Sequence, residues 1–120
     1  MNKDFCINRP NSIGRIIEPC LLLLLLEGNS YGYGLVEKLD QFGFEKDSVD
    51  ISLVYRNLRA MEGKGFVTSS WAESDQGPRK RTYAITDKGK IALDHWIVLL
   101  EERKRKMSLI IDKYQGKDSK

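Results

Sequence analysis

Apolar residues along this chain fall first in a solid block, then at helical spacing, then in short β-type runs, and last in one long helical row. The block is Leu21-Leu22-Leu23-Leu24-Leu25-Leu26. A helix over residues 18–27 built on it has no polar face, so it must be buried nearly all round. Pro19 suits its first turn, where N–H groups go unpaired anyway, and Gly28 supplies a left-handed stop. A second helix over residues 31–41 has Ser30 as its N-cap, Leu35, Val36 and Leu39 as its apolar stripe, and Gly43 as its end. A third, over residues 51–62, places Ile51, Val54, Tyr55, Leu58 and Met61 on one face. Asp47, Ser48 and Asp50 offer its cap, and Gly63 and Gly65 stop it.

The period then shortens. Residues 66–71 (FVTSSW) and 81–85 (RTYAI) are β-branched and aromatic, and Ser74-Asp75-Gln76-Gly77-Pro78 between them is turn chemistry. They predict a β-hairpin with a long tip. Thr86 caps a fourth helix running from Asp87 to Tyr114, with Asp87 favourably placed at its positive end. One row on it follows Leu93, Ile97, Leu100, Lys104, Met107, Ile111 and Tyr114, a heptad-like seam interrupted at Lys104. Such a helix reaches about 40 Å, overhangs the rest, and needs cover that a second copy of the chain would supply. The predicted class is mainly α with a small β-hairpin: a winged helix-turn-helix over 15–86, a dimerisation helix over 87–115, a flexible arm over 1–14 and a tail over 116–120.

Composition narrows this only a little. With 120 residues, 41% apolar and 31% charged, the chain reads as one ordinary globular unit. The net charge of +3 permits nucleic-acid binding without demanding it. Residues 1–60 sum to −1 and residues 61–120 to +4, so any electrostatic footprint leans on the second half. Cys6, Cys20 and the one histidine, His95, form no metal-ligand spacing, so no metal or cofactor is expected, and a reduced, cytoplasmic setting fits best. The leucine block is too short for a bilayer and lacks a cleavage pattern, so neither a membrane span nor a signal peptide is expected. No nucleophile–base set or phosphate loop is visible, and an enzyme is not expected.

Helix–helix–helix–hairpin is the winged-helix order, in which the third helix would enter the major groove of duplex DNA. Ser52, Leu53, Arg56, Asn57 and Arg59 are the exposed positions expected there. Arg56 and Arg59 suit guanine or phosphate, and Asn57 suits adenine; a plain solvated helix face fits the same residues. Arg79-Lys80-Arg81 beside the Gly77-Pro78 turn suits phosphate contact, although edge strands are often guarded by charge in the same way. Ser30 and Tyr31, where the second helix starts, join the candidate DNA contacts. Trp96 reads as a large aromatic packed in the dimer core. His95 has no evident acid–base partner, Cys20 reads as a small buried hydrophobe, and residues 103–106 (RKRK) read as a solvated face beside Glu101 and Glu102.

These pieces resemble a known family. Residues 25–35 (LLEGNSYGYGL), 51–67 (ISLVYRNLRAMEGKGFV) and 71–93 (WAESDQGPRKRTYAITDKGKIAL) are similar to the corresponding stretches of PadR-type regulators. The likeness covers roughly residues 15–100 and points to the compact subgroup with one long C-terminal helix. It implies a dimeric regulator, usually a repressor, for which two-fold symmetry predicts a pseudo-palindromic operator; since some members bind planar aromatic ligands near the dimer centre, it also implies release by a small aromatic effector in a pocket lined by Trp96 and Leu100. It also implies Tyr55 near the DNA backbone, Arg79 and Lys80 as the wing contact, and a dimer interface through Leu93, Trp96, Ile97, Leu100, Met107, Ile111 and Tyr114. Members often carry Gly-Thr-Leu-Tyr-Pro where this chain has Ser52-Leu53-Val54-Tyr55-Arg56, so no base preference carries over. The alternative is a winged-helix protein-interaction module without an effector.

Overall fold

A computed structural model of the chain describes residues 15–44, 49–72 and 80–116. The N-terminal arm with Cys6, the caps Asp47 and Ser48, the hairpin tip with Arg79, and the last four residues lie outside the described residues. In order, the elements are α1 (Ile17–Glu27), β1 (Ser30–Tyr31), α2 (Gly32–Lys38) with a 3₁₀ turn (Leu39–Phe42), α3 (Ile51–Gly63), β2 (Val67–Ala72), β3 (Lys80–Ile85) and α4 (Asp87–Tyr114). This is the winged-helix order, mostly helical, with a small antiparallel sheet ordered β1-β3-β2.

The leucine block behaves as its composition requires. Ile17, Leu21, Leu22, Leu24 and Leu25 are buried, Leu23 is partly so, and only Leu26 faces outward. Around α1 close Leu35 and Leu39, Val54, Leu58 and Met61 of α3, Val67 and Tyr83 of the sheet, and Leu93 of α4. Cys20 belongs to this core, where burial pushes its thiol up to about 11 and keeps it protonated at neutral pH. Among the described residues no helix is long and apolar enough to cross a membrane.

Two helix starts follow the sequence closely. Asp50 caps α3 by accepting from the backbone N–H of Ser52 at 3.0 Å. Thr86 caps α4 by accepting from the N–H of Gly89 at 3.0 Å, and its hydroxyl donates to the Gly65 carbonyl at 2.6 Å. The start of α2 differs from expectation. Ser30 pairs with Tyr83 and Tyr31 with Thr82 as a third strand, so the chain is still extended at Tyr31 and the helix begins at Gly32 with no side-chain cap. Two residues carry no periodicity to announce a strand; only the presence of β3 alongside draws them into the sheet.

Candidate nucleic-acid interface

In the β2–β3 ladder Trp71 stands opposite Arg81, Ser70 opposite Thr82 and Ser69 opposite Tyr83. The guanidinium of Arg81 is thereby held on three sides. Its Nε donates to Ser69 Oγ at 3.0 Å, its Nη2 lies 3.7 Å from Glu62 Oε1, and its carbon sits 5.5 Å from the Trp71 ring centre. Ser69 Oγ in turn donates to Glu62 Oε2 at 2.7 Å, which joins the strand to the last turn of α3. Lys80 places its Nζ 4.4 Å above the ring of Tyr31, a cation–π contact that ties β3 to β1.

Tyr55 projects from α3 towards this sheet. It does so because residue 32 is glycine: a Cβ there would overlap the Tyr55 ring. The result is a cavity of about 900 Å³ walled by Tyr31 of β1, Tyr33 and Glu37 of α2, Tyr55, Arg59, Glu62 and Gly63 of α3, Trp71 of β2, and Lys80, Arg81 and Tyr83 of β3. Tyr83 is buried at its back, and that burial raises its phenol above the ordinary value.

Five residues singled out from the sequence therefore meet in one place: Tyr31, Tyr55, Arg59, Lys80 and Arg81. Ser30 is half-buried, and its hydroxyl folds back on the Tyr31 carbonyl at 3.4 Å. Ser52 and Arg56 are exposed on the first half of α3, outside the cavity lining. Leu53 packs against the core, and Asn57 donates its amide to the Leu53 carbonyl at 2.9 Å. Both are thus engaged within the fold. The cavity also contains Tyr33, Glu37 and Trp71, which sequence reasoning did not single out. For Trp71 a signal existed, since the hairpin register sets it across from Arg81.

The second candidate site lies at the root of α4. Trp96 is half-buried against the core, and its indole Nε1–H donates to Glu18 Oε2 at 2.8 Å. Lys64 holds the other oxygen of the same carboxylate at 2.9 Å. Leu93 is buried beside them, Leu100 is half-exposed, and Ile97, Met107, Ile111 and Tyr114 are exposed.

Residues 21–95 match the Transcriptional regulator PadR-like family. A probable transcriptional regulator of Mycobacterium tuberculosis is 32% identical over 77 residues, 64% of this chain and 41% of that protein. The negative transcriptional regulator PadR of Bacillus subtilis is 30% identical over 88 residues, 70% of this chain and 46% of that protein. The chain thus spans less than half the length of either relative. The crystal structure of B. subtilis PadR in complex with operator DNA superposes with a TM-score of 0.62 at 27% identity, over 70% of this chain and 48% of that one. A PadR-like transcriptional regulator from Bacillus cereus superposes with a TM-score of 0.71 at 25% identity, over 82% and 94%.

Proposed function

Because the chain belongs to the PadR-like family of transcriptional regulators, we propose that it is a cytoplasmic repressor that binds a pseudo-palindromic operator as a homodimer. The observation that carries this reading is the convergence of Arg59 from α3 with Lys80 and Arg81 from the hairpin on one cavity, with exposed Arg56 one turn earlier on α3. Cations from a helix and a hairpin on one concave face suit a duplex whose backbone carries regularly spaced phosphates. The operator complex of the B. subtilis relative supports the DNA partner. In this reading Ser52 and Arg56 reach towards base edges, Tyr55, Arg59, Lys80 and Arg81 hold the backbone, and Ser30 and Tyr31 border the contact.

The dimer reading rests on α4. Among the described residues, nine of the thirteen exposed large hydrophobic residues lie on it: Ile91, Ile97, Val98, Leu99, Met107, Leu109, Ile110, Ile111 and Tyr114. They form two patches separated by Glu101-Glu102-Arg103-Lys104-Arg105-Lys106, all exposed. In an antiparallel two-fold pairing, the acidic end of this block meets the basic end of its copy, and each distal patch covers the partner's proximal one. Parallel pairing would set like charge against like. Release by a small aromatic effector is assigned to Trp96 and Leu100, where helix packing and dimer contact adjoin.

The DNA reading is tested by selecting bound duplexes from random DNA and measuring their affinity by fluorescence anisotropy. Site-selective binding that is abolished by the double charge reversal Lys80→Glu, Arg81→Glu supports it. Absence of any selected site at moderate salt overturns it in favour of a protein-interaction module.

A further inference from the structure

A surface that only gripped phosphates would need cations alone, yet in the cavity between α2, α3 and the hairpin aromatic rings stand beside the cations. Tyr31, Tyr33, Tyr55 and Trp71 come from four separate elements, and Tyr33 and Trp71 are 63% and 57% exposed. At about 900 Å³ the space is of small-molecule size. Bases inside a duplex are paired and stacked, so they cannot enter it. A free nucleotide can.

We propose that this cavity binds a purine nucleotide, its base stacked among these rings and its phosphate held by Arg59 and Lys80, in direct competition with DNA. Rings of this kind stack any base through its π-face. Among the described residues neither Arg59 nor Lys80 has a carboxylate within ion-pair distance, so their charge is open to an anion; Lys80 rests over one face of Tyr31, which leaves Tyr33, Tyr55 and Trp71 as the rings for the base. Arg81 is already held by Glu62 and Ser69, and Glu62 is held with it. That leaves Glu37, which lines the cavity without an ion pair among the described residues. A carboxylate is out of place in a pocket for a simple aromatic acid. It is well suited to a base that offers two adjacent donors, because its two oxygens can accept both at once. Guanine presents such a pair, N1–H beside its exocyclic amino group, whereas adenine presents only one amino group. Guanine is therefore the favoured base. Binding at this site is independent of whether the chain binds DNA; only the competition rests on the DNA reading, since both ligands would use Arg59 and Lys80.

The test follows the two indole N–H signals of the ¹⁵N-labelled protein by NMR, assigned with Trp71→Phe and Trp96→Phe. Addition of guanosine monophosphate should shift the Trp71 signal saturably and leave Trp96 in place. Guanosine, lacking the phosphate, should bind about tenfold more weakly. Glu37→Gln should lower the affinity for guanosine monophosphate about tenfold, to that of adenosine monophosphate. Arg59→Gln should weaken the nucleotide but not the nucleoside. The proposal is overturned if the Trp71 signal shows no saturation up to about 10 mM nucleotide, beyond the millimolar range of the weakest specific sites. Equal binding of 2-naphthoate, the same shift from inorganic phosphate alone, or movement of Trp96 instead of Trp71 would overturn it as well. At constant ionic strength guanosine monophosphate should raise the apparent Kd for a selected duplex at about tenfold lower concentration than uridine monophosphate does. Undisturbed DNA affinity at saturating nucleotide sinks the competition. If nucleotide saturates the site while no duplex binds, the DNA reading fails and the nucleotide site stands.

Discussion

Single atoms fix where the helices of this chain begin. At Gly89, a Cβ would run into the carbonyl oxygen of Phe66, the oxygen that accepts from the N–H of Thr86 at 3.0 Å. Gly89→Ala forces the root of α4 away from the α3–β2 turn and should destabilise by about 2 kcal/mol. Thr86→Ala should cost about 1 kcal/mol through loss of the cap. Urea denaturation measures both, and a neutral Gly89→Ala would show that the helix root tolerates displacement. Asp50 makes a prediction about pH. The Ser52 hydroxyl, then the Ser52 backbone N–H, and to a lesser degree Arg56 hold its carboxyl below the ordinary carboxylate value. A carboxyl whose folded value is depressed adds stability above its unfolded value and loses it as pH falls through the folded one. The native protein should therefore lose part of its stability between about pH 5 and pH 3, and Asp50→Asn should lose less over the same interval. Urea midpoints at the two pH values decide it, and equal losses would remove the assigned role of the cap.

Among the elements, α4 leaves most of its apolar residues uncovered. Its first turns pack on α1 through Leu93 and Trp96, whose indole bonds to Glu18. Beyond Leu100 every residue of the helix but Asp112 is exposed, including Tyr114 at 91%. An isolated helix end with five large apolar side chains in water is poorly stabilised by propensity alone. Within the charged block Arg105 grips Glu102 at 2.7 Å and lowers its carboxyl, a local exposed pair of little consequence for stability. Ile110→Asp should therefore convert a dimer to monomer in sedimentation velocity while leaving the winged-helix core folded. An unchanged sedimentation coefficient at micromolar concentration would overturn the proposed dimer contact through α4. Glu18→Gln tests the other end of the helix: it should move the Trp96 indole N–H signal and loosen α4 at its root without altering the sedimentation behaviour.

For the whole molecule, the long axis extends 59 Å against 33 and 21 Å, because α4 projects beyond the compact body. In a two-fold dimer, the angle at which α4 leaves that body sets the distance between the two α3 helices, and hence the half-site spacing on DNA. The Glu18 carboxylate, which joins Trp96 of α4 to Lys64 after α3, sits where that angle is decided. DNA affinity should fall steeply with salt. Arg59→Gln, which removes one backbone cation per protomer and two per proposed dimer, should make the slope of log K against log salt shallower by about 2. Arg56→Gln should hold the slope and relax the preference at one position, and a shallower slope instead would move Arg56 from base to phosphate.

The helices and the hairpin were legible because each depends on local periodicity and caps. The leucine block required a buried helix, the 3-to-4 spacing of Val54, Leu58 and Met61 required an amphipathic one, and Thr86 with Asp87 began α4 at the residue where it begins. The cations of the candidate face were legible as well, since Lys80 and Arg81 stand beside a turn that the sequence announces. What tertiary packing alone decided depends on residues distant in the chain. Ser30 and Tyr31 became a strand only because β3 lies beside them. Leu53 and Asn57, exposed on a bare helical wheel, were drawn into contacts within the fold. The aromatic cavity gathers Tyr31, Tyr33, Tyr55, Trp71 and Tyr83 from five elements, and no spacing along the chain encodes that meeting. A sequence carries the energetics of each turn and each face. Which faces meet is set by the closing of one shared core, and so is the space left between them.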